Sequence, residues 1–193
     1  EFNGRWAGTM CLSEPQAGSS LSDIQTRAVP DGASFESDPL GPRYRLKGHK
    51  MWISNGDHEL TENIVHLVLA KIPDEQGRLI PGTKGISLFI VPKHLVDVQG
   101  QILARNDVSL AGLNHKCGWR GTVNTLLNFG EGRYMVDDQA GAIGYRVGFG
   151  SGLAGPLADC SSGSFGGGRR RVGLQSLHCH FKRACSNIRK SLG

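Results

Sequence analysis

Two short segments of the chain place a hydroxyl group where an apolar run ends and a turn begins. Residues 8–20 have the sequence GTMCLSEPQAGSS, and residues 48–56 have the sequence GHKMWISNG. Ser13 and Ser54 stand at these ends, and the first segment continues into a loop of small residues. Such ends can present hydroxyls and backbone N–H groups to the polar edge of a ligand. If each segment is considered alone, Ser13 and Ser54 could equally well be solvated turn residues, and Trp52 could equally well pack in the core.

The residues that must position these segments are predicted to form β-strands. Apolar or alternating runs are separated by Pro, Gly, Asn and Asp, which is typical of short strands joined by turns. The runs cover residues 6–12, 24–28, 44–54, 64–72, 85–91 and 122–129. This pattern predicts a mainly β fold, an antiparallel β-barrel or sandwich. No convincing amphipathic helix of three turns precedes residue 130.

The formal net charge of +5 belongs to one end of the chain. Residues 1–140 carry 14 Lys/Arg and 16 Asp/Glu, whereas residues 141–193 carry 8 Lys/Arg and one acid. The latter also hold 12 of the 28 glycines. This shift predicts a β-domain over residues 1–135 and a Gly/Arg-rich, irregular or weakly helical tail over residues 136–193. No apolar run approaches the roughly 18 residues of a membrane-spanning helix, so no membrane partner is expected.

The tail contains three patterns that resemble ligand sites but are incomplete. The spaced glycines at 148–155 imitate a dinucleotide loop without its following helix or its later acid. The histidines and cysteines at 178–185 lack a second pair of metal ligands. Basic residues at 169–190 could contact phosphates, but no aromatic stacking platform accompanies them. We therefore predict no metal site, and nucleic acid is not the favoured partner.

In this order and about forty residues apart, the two hydroxyl-bearing segments resemble the acyl-CoA dehydrogenase family. Residues 115–122 (HKCGWRGT) look like that family's Lys-x-Gly-x-Arg-Gly stretch, and residues 57–64 and 82–89 match further. The resemblance covers about residues 5–130 and is strongest to the branch that includes the 3-methylmercaptopropionyl-CoA dehydrogenases. It implies the middle β-domain of a protein in which FAD lies between this domain and a C-terminal helical bundle.

The resemblance also implies roles for individual residues. The flavin-binding set would be Met10, Leu12, Ser13, Gly18, Ser19, Trp52, Ile53 and Ser54. Met10, Leu12 and Ser13 would face the isoalloxazine ring, and Gly18 and Ser19 would continue the loop toward the flavin pyrophosphate and the CoA chain. Trp52 would pack against the ring, and the Ser54 hydroxyl would hydrogen-bond near N5. The family usually has Thr at the position of Ser13, which is a mild change, and Asp at the position of Ser20, a change that bears on the geometry of the loop.

The family's catalytic glutamate belongs to the helical bundle, and no residue of this sequence matches it. We therefore predict no catalytic residue here, an intact parent that oxidises an acyl-CoA thioester, and a 193-residue chain that is inactive by itself. The tail resembles the family only at residues 152–154 and 172–175. That mismatch predicts a fragment whose C-terminal sequence is aberrant, through a reading-frame disruption or a similar error.

The sequence is also compatible with two other functions. One alternative is a basic nucleic-acid-binding protein on a β scaffold, and another is a flavin monooxygenase or acyl-CoA oxidase of the same fold. The resemblance implies an electron-accepting flavoprotein as partner and a homo-oligomeric parent. The five cysteines form no regular disulfide framework, which favours a reducing compartment, and we expect a cytoplasmic protein.

Overall fold

Strands dominate the computed structural model, which describes residues 5–147 of the chain. The strands in this range are β1 (Trp6–Cys11), β2 (Arg27–Pro30), β3 (Arg43–Ser54), β4 (Asn63–Lys71), β5 (Ile86–Pro92), β6 (His94–Val96), β7 (Ile102–Arg105), β8 (Val108–Leu113), β9 (Asn124–Phe129) and β10 (Ala142–Arg146). Helical structure in the same range consists of two single 3₁₀ turns, Leu21–Asp23 and Phe35–Ser37. The prediction of a mainly β fold is confirmed.

One sheet of eight strands curls into a closed β-barrel. Its strands follow the order β1-β4-β5-β10-β3-β9-β8, and β2 bonds to both β3 and β4. That double pairing closes a ring of strands, while β6 and β7 form a separate hairpin. The predicted antiparallel pairing holds for most neighbours, but β1 and β2 run parallel to β4. These strands meet β4 through long connections, which leave the direction of pairing free.

The barrel core consists of side chains that alternate along the strands toward the interior. Leu46, Phe89 and Phe129 are fully buried there, and each such side chain contributes about 1.5–3 kcal/mol by leaving water. A second apolar cluster lies where the loop after β1 covers the sheet: Leu21 and Ile24 pack with buried side chains of β4 and β5. The loop that carries the first hydroxyl segment is therefore anchored on the barrel.

Strand β10 closes the barrel, although its sequence did not indicate a strand. The fully buried Asn106 binds it, because its Nδ2 donates to the carbonyls of Pro92 and Ile143 at 2.8 Å each. Its Oδ1 accepts from the Ile143 N–H at 2.8 Å. Gly144 lies against β3, where a Cβ would come within 2.7 Å of Leu46. Close packing of β10 against β3 thus favours glycine at this position, within the segment that was predicted to be an irregular or weakly helical tail.

The barrel extends beyond residue 135, the predicted end of the β-domain, because β10 covers Ala142–Arg146. Residues 148–193 lie outside the described range, and with them the spaced glycines, the His/Cys cluster and the basic residues of the predicted tail. Their predicted irregular or weakly helical structure, and the nucleic-acid alternative that rests on them, stay predictions. Within residues 5–147, no helix is long and apolar enough to cross a membrane.

Candidate functional site

The two hydroxyl-bearing segments meet at one end of the barrel. β1 ends at Cys11 and β3 ends at Ser54, and the connection between them is direct: the Met51 N–H donates to the Ser13 carbonyl at 2.9 Å. Lys50 Nζ donates to the Leu12 carbonyl at 3.2 Å. Residues about forty positions apart in the sequence therefore share one edge, which we call the 13–54 edge.

A buried ion pair fixes the loop of the first segment against β3. Lys50 Nζ lies 2.8 Å from Glu14 Oε1, and the two side chains are 0% and 2% exposed. The Glu14 carboxylate also accepts from the Gln16 amide, the Gln25 N–H and both the N–H and the hydroxyl of Thr26. Five donors on one carboxylate hold the loop rigidly.

The same contacts decide the protonation state of this pair. Burial opposes the charge on Glu14, yet the Lys50 ammonium and the neighbouring donors hold the pKa of Glu14 below its ordinary value. Burial also lowers the pKa of Lys50, against the attraction of the carboxylate. Because five donors point at Glu14, the geometry supports the ionised pair, and Glu14 is not available as a catalytic base. Sequence patterns indicated no role for Lys50, although Lys50 lies on the inward face of β3 with Leu46.

Trp52 projects from the barrel because β3 bulges at this point. The pairing of β3 with β9 shifts register between Lys50 and Ile53, and Trp52 takes a left-handed backbone conformation, with φ of 63°. Its side chain is 52% exposed, so the alternative of a core Trp52 is wrong. The bulge turns Ile53 inward to 2% exposure, and a contact from Ile53 to a ligand would have to come from its backbone.

The remaining members of the predicted set divide between exposed and packed positions. Met10 is 39% exposed at the end of β1, and Gly18 and Ser19 are exposed in the loop. Ser13 is half-buried, and Leu12 packs against the second apolar cluster. The edge thus combines exposed apolar and aromatic surface with two hydroxyls.

The loop at Ser20, where the family usually has Asp, is held by a short chain of hydrogen bonds. The hydroxyls of Ser20 and Ser22 lie 2.7 Å apart, and the Ser22 hydroxyl donates to Asp23 Oδ1 at 3.1 Å. Asp23 is therefore linked to Ser20 through one intervening hydroxyl. The Asp23 carboxylate is thus connected by two successive hydrogen bonds to Ser20, the position at which the family pattern has Asp.

The segment 114–123 lies directly beside the 13–54 edge. Asn114, at its start, accepts from the Trp52 N–H through Oδ1 at 3.2 Å. A shallow cavity of about 180 Å³ is lined by residues of this segment, among them Lys116 and Arg120. Lys116 Nζ donates to the Thr122 carbonyl, and Arg120 Nε donates to the Lys116 carbonyl. These basic side chains therefore brace the loop itself, and Trp119 stands 88% exposed at its tip.

A second cavity, of about 410 Å³, lies at the opposite end of β3. Its wall is an ion-pair network in which Asp31 bonds both Arg43, at 2.7 Å, and Arg45, at 2.6 Å. Asp31 thus neutralises charge on both of the arginines that line this cavity. Among residues 5–147, no cluster of three His, Cys, Asp or Glu side chains could hold a metal ion.

The chemistry of the 13–54 edge suits a flat ring with one polar border. Trp52 offers an aromatic face, Met10 adds apolar surface, and the Ser13 and Ser54 hydroxyls can donate hydrogen bonds. Neither cysteine in the described range belongs to this exposed set: Cys11 is buried, and Cys117 lies on the neighbouring loop. The edge can bind and orient such a ring, but it brings no free base or nucleophile of its own.

Comparisons with known proteins place most of this chain in one family. The family described as "Acyl-CoA dehydrogenase, middle domain" matches residues 9–129. A butyryl-CoA dehydrogenase of Syntrophomonas wolfei is 45% identical over 130 residues, which cover 67% of this chain and 20% of that protein. A 3-methylmercaptopropionyl-CoA dehydrogenase of Ruegeria pomeroyi is 40% identical over 147 residues, covering 75% of this chain and 23% of that protein.

A solved structure is similar to this chain in fold. ACDH-11 of Caenorhabditis elegans, crystallised with C11-CoA, superposes with a TM-score of 0.53 at 25% sequence identity. The match covers 80% of this chain and 21% of that one. The chain spans about a fifth of the length of these curated relatives.

Proposed function

The chain belongs to the acyl-CoA dehydrogenase family, of which it holds the middle domain, and from this premise we propose that it forms the flavin-facing part of an FAD-dependent acyl-CoA dehydrogenase. The observation that carries the proposal is the 13–54 edge. There the structure joins Ser13, Trp52 and Ser54 through the hydrogen bond from Met51 to the Ser13 carbonyl. Family membership and this juxtaposition support each other.

In this proposal the residues of the edge bind and orient the isoalloxazine ring. FAD, when bound, supplies the redox chemistry that oxidises the acyl thioester between its α and β carbons. Trp52 covers part of the ring, and the half-buried Ser13 and exposed Ser54 donate hydrogen bonds to its polar border. The Lys50–Glu14 pair keeps the loop of Ser13 in place beside β3. Rigid support of this kind is what a binding edge requires.

We further propose an acyl-CoA thioester as substrate, with Gly18 and Ser19 as the residues nearest to its CoA chain. Both are exposed in the loop that leaves β1. The names of the two curated relatives, butyryl-CoA and 3-methylmercaptopropionyl-CoA dehydrogenase, support this substrate class. The base that removes the α-proton would lie outside residues 5–147. An electron-accepting flavoprotein and further copies of the parent protein would be its partners.

FAD titration of the purified chain, followed by the quenching of flavin fluorescence, tests this proposal. We expect saturable but weak binding, since only part of the family's fold contributes. Trp52→Ala should weaken the affinity about 2- to 13-fold, the effect of losing one aromatic stacking contact. Trp6→Phe, at the far end of β1, serves as the control and should bind FAD as the native chain does. Equal affinities of the native chain and Trp52→Ala would refute the assignment of Trp52.

A further inference from the structure

Two asparagines from the adjoining strands flank Trp52 and Ser54. Asn114 follows β8 directly, and Asn124 begins β9. Their backbones are joined, because the Asn114 N–H donates to the Asn124 carbonyl at 2.8 Å. Both side chains are half-buried and reach across to the bulge of β3. Neither residue was singled out in the sequence.

The first asparagine holds the backbone of Trp52 on its N–H side. Asn114 Oδ1 accepts from the Trp52 N–H at 3.2 Å, at the point where β3 loses register with β9. A non-glycine residue in the left-handed region costs free energy and persists only where its surroundings hold it in place. The φ of 63° at Trp52 therefore requires a local restraint, and Asn114 supplies one.

The second asparagine holds the C=O side and also reaches Ser54. Asn124 Nδ2 lies 3.1 Å from Ser54 Oγ and 3.5 Å from the Trp52 carbonyl oxygen. A carbonyl oxygen can only accept, so the amide nitrogen of Asn124 must face this pair. Ser54 Oγ accordingly accepts a hydrogen bond from Asn124. Its own hydrogen is left to be donated away from the barrel, on the exposed side of the edge.

We propose that Asn114 and Asn124 are positioning residues of the 13–54 edge: together they clamp the left-handed Trp52, and Asn124 fixes the Ser54 hydroxyl as a hydrogen-bond donor to the ligand. The role of the two asparagines in holding Trp52 follows from their hydrogen bonds to its backbone. The role of Ser54 as a donor to a flavin rests on the proposed function. The two roles are therefore tested by separate measurements.

Fluorine NMR of the chain labelled with fluorotryptophan tests the clamp without any ligand. The three tryptophan signals are assigned with single Trp→Phe variants. Asn114→Ala should shift or broaden the Trp52 signal, whereas Asn114→Asp keeps an acceptor for the Trp52 N–H and should restore it. Asn128→Ala is the matched control: Asn128 lies on the same face of β9 but bonds to His49, so the Trp52 signal should not move. An unchanged Trp52 signal in Asn114→Ala would overturn the clamp.

Flavin binding tests the donor role of Ser54. In Asn124→Asp the new carboxylate can only accept, so it draws the Ser54 hydrogen inward and removes the outward donor. The affinity for FAD should fall about 2- to 13-fold, the effect of one lost hydrogen bond. Asn124→Ala leaves the hydroxyl free to rotate and should cost less. Riboflavin, which has no phosphates, should show the same order and thereby separates this effect from charge repulsion.

The Ser54→Ala background decides whether Asn124 acts through Ser54. In that background, Asn124→Asp and Asn124→Ala should lower the affinity equally, because no hydroxyl remains to be turned and both variants lose the contact with the Trp52 carbonyl. A difference between the two variants that persists without the Ser54 hydroxyl, or equal effects of the two variants when Ser54 is present, would overturn the donor role. If the native chain itself binds no flavin while the Trp52 signal responds to Asn114→Ala, the proposed function fails and the clamp stands.

Discussion

The buried pair of Lys50 and Glu14 makes a prediction whose size follows from its contacts. In Lys50→Met the carboxylate loses its cation but keeps four of its five donors. In Glu14→Gln the buried ammonium keeps the Leu12 carbonyl as its other acceptor. Breaking a buried ion pair costs about 3–5 kcal/mol. We expect Lys50→Met near the lower limit of that range and Glu14→Gln near the upper limit.

The assay is urea unfolding of the purified chain, followed by circular dichroism, at neutral pH. The double variant Lys50→Met, Glu14→Gln should cost less than the sum of the single variants, because removing both charges leaves no uncompensated ion. Arg5→Met, which removes an exposed ion pair with Glu62, is the matched control. Its effect should stay below about 1 kcal/mol.

The pH dependence of the same pair has a definite sign. Because the pKa of Glu14 is lower in the folded chain than its ordinary value of 4.5, its contribution to stability is fully present above that value. It is lost as the pH falls through the folded pKa. Glu14→Gln should flatten this part of the acid limb of the stability curve. A Lys50→Met variant as stable as the native chain, or strictly additive single variants, would show that the ion pair between Lys50 and Glu14 does not stabilise the fold.

Two further predictions concern the barrel. Burial lowers the pKa of His66 to about 3, so the imidazole takes up a proton on unfolding when the pH is below its ordinary pKa of 6.5. The free energy of unfolding should therefore fall by up to about 1.4 kcal/mol per pH unit between roughly pH 6 and pH 5. His66→Gln should lose this slope in urea unfolding, and an unchanged slope would show that another group causes it. Gly144→Ala should lower the free energy of unfolding by about 1–3 kcal/mol through overpacking, since the added Cβ would lie 2.7 Å from Leu46 and 2.8 Å from Val91. Gly112→Ala on β8, where a Cβ would meet nothing within 4 Å, is the control and should cost less than half as much. Equal melting temperatures of the two variants would contradict the close approach at Gly144.

The exposed end of the barrel could be anticipated because its signals are local. The hydroxyls, the Asn-Gly turn after Ser54 and the Glu-Pro turn after Ser13 are each visible in a few adjacent residues. Their order along the chain also matched the family pattern. The strands that carry them show the same local signals, namely apolar runs bounded by turn residues. These features need no knowledge of distant contacts.

The supports of that edge could not be anticipated, because they depend on pairing between distant segments. Lys50 is recognisable as buried only once Glu14 is known to lie 2.8 Å away. Asn114 looks like an ordinary turn residue, and Asn124 like a polar position of a predicted strand, until the bulge of β3 brings Trp52 to them. Gly144 lies within the segment that was predicted to be a tail, yet the packing of β10 against β3 favours glycine there. Tertiary contacts overrode the local preferences at each of these positions.

Amide NMR spectra of the isotope-labelled chain during an FAD titration show which residues contact the flavin. We expect saturable shifts confined to residues 10–20, 51–55 and 113–124, which form and flank the 13–54 edge. Residues around Arg43 and Asp31, at the opposite end of β3, should not respond. Shifts centred on that opposite end, or no saturable shifts at any concentration, would contradict the claim that Ser13, Trp52 and Ser54 form a flavin-binding edge.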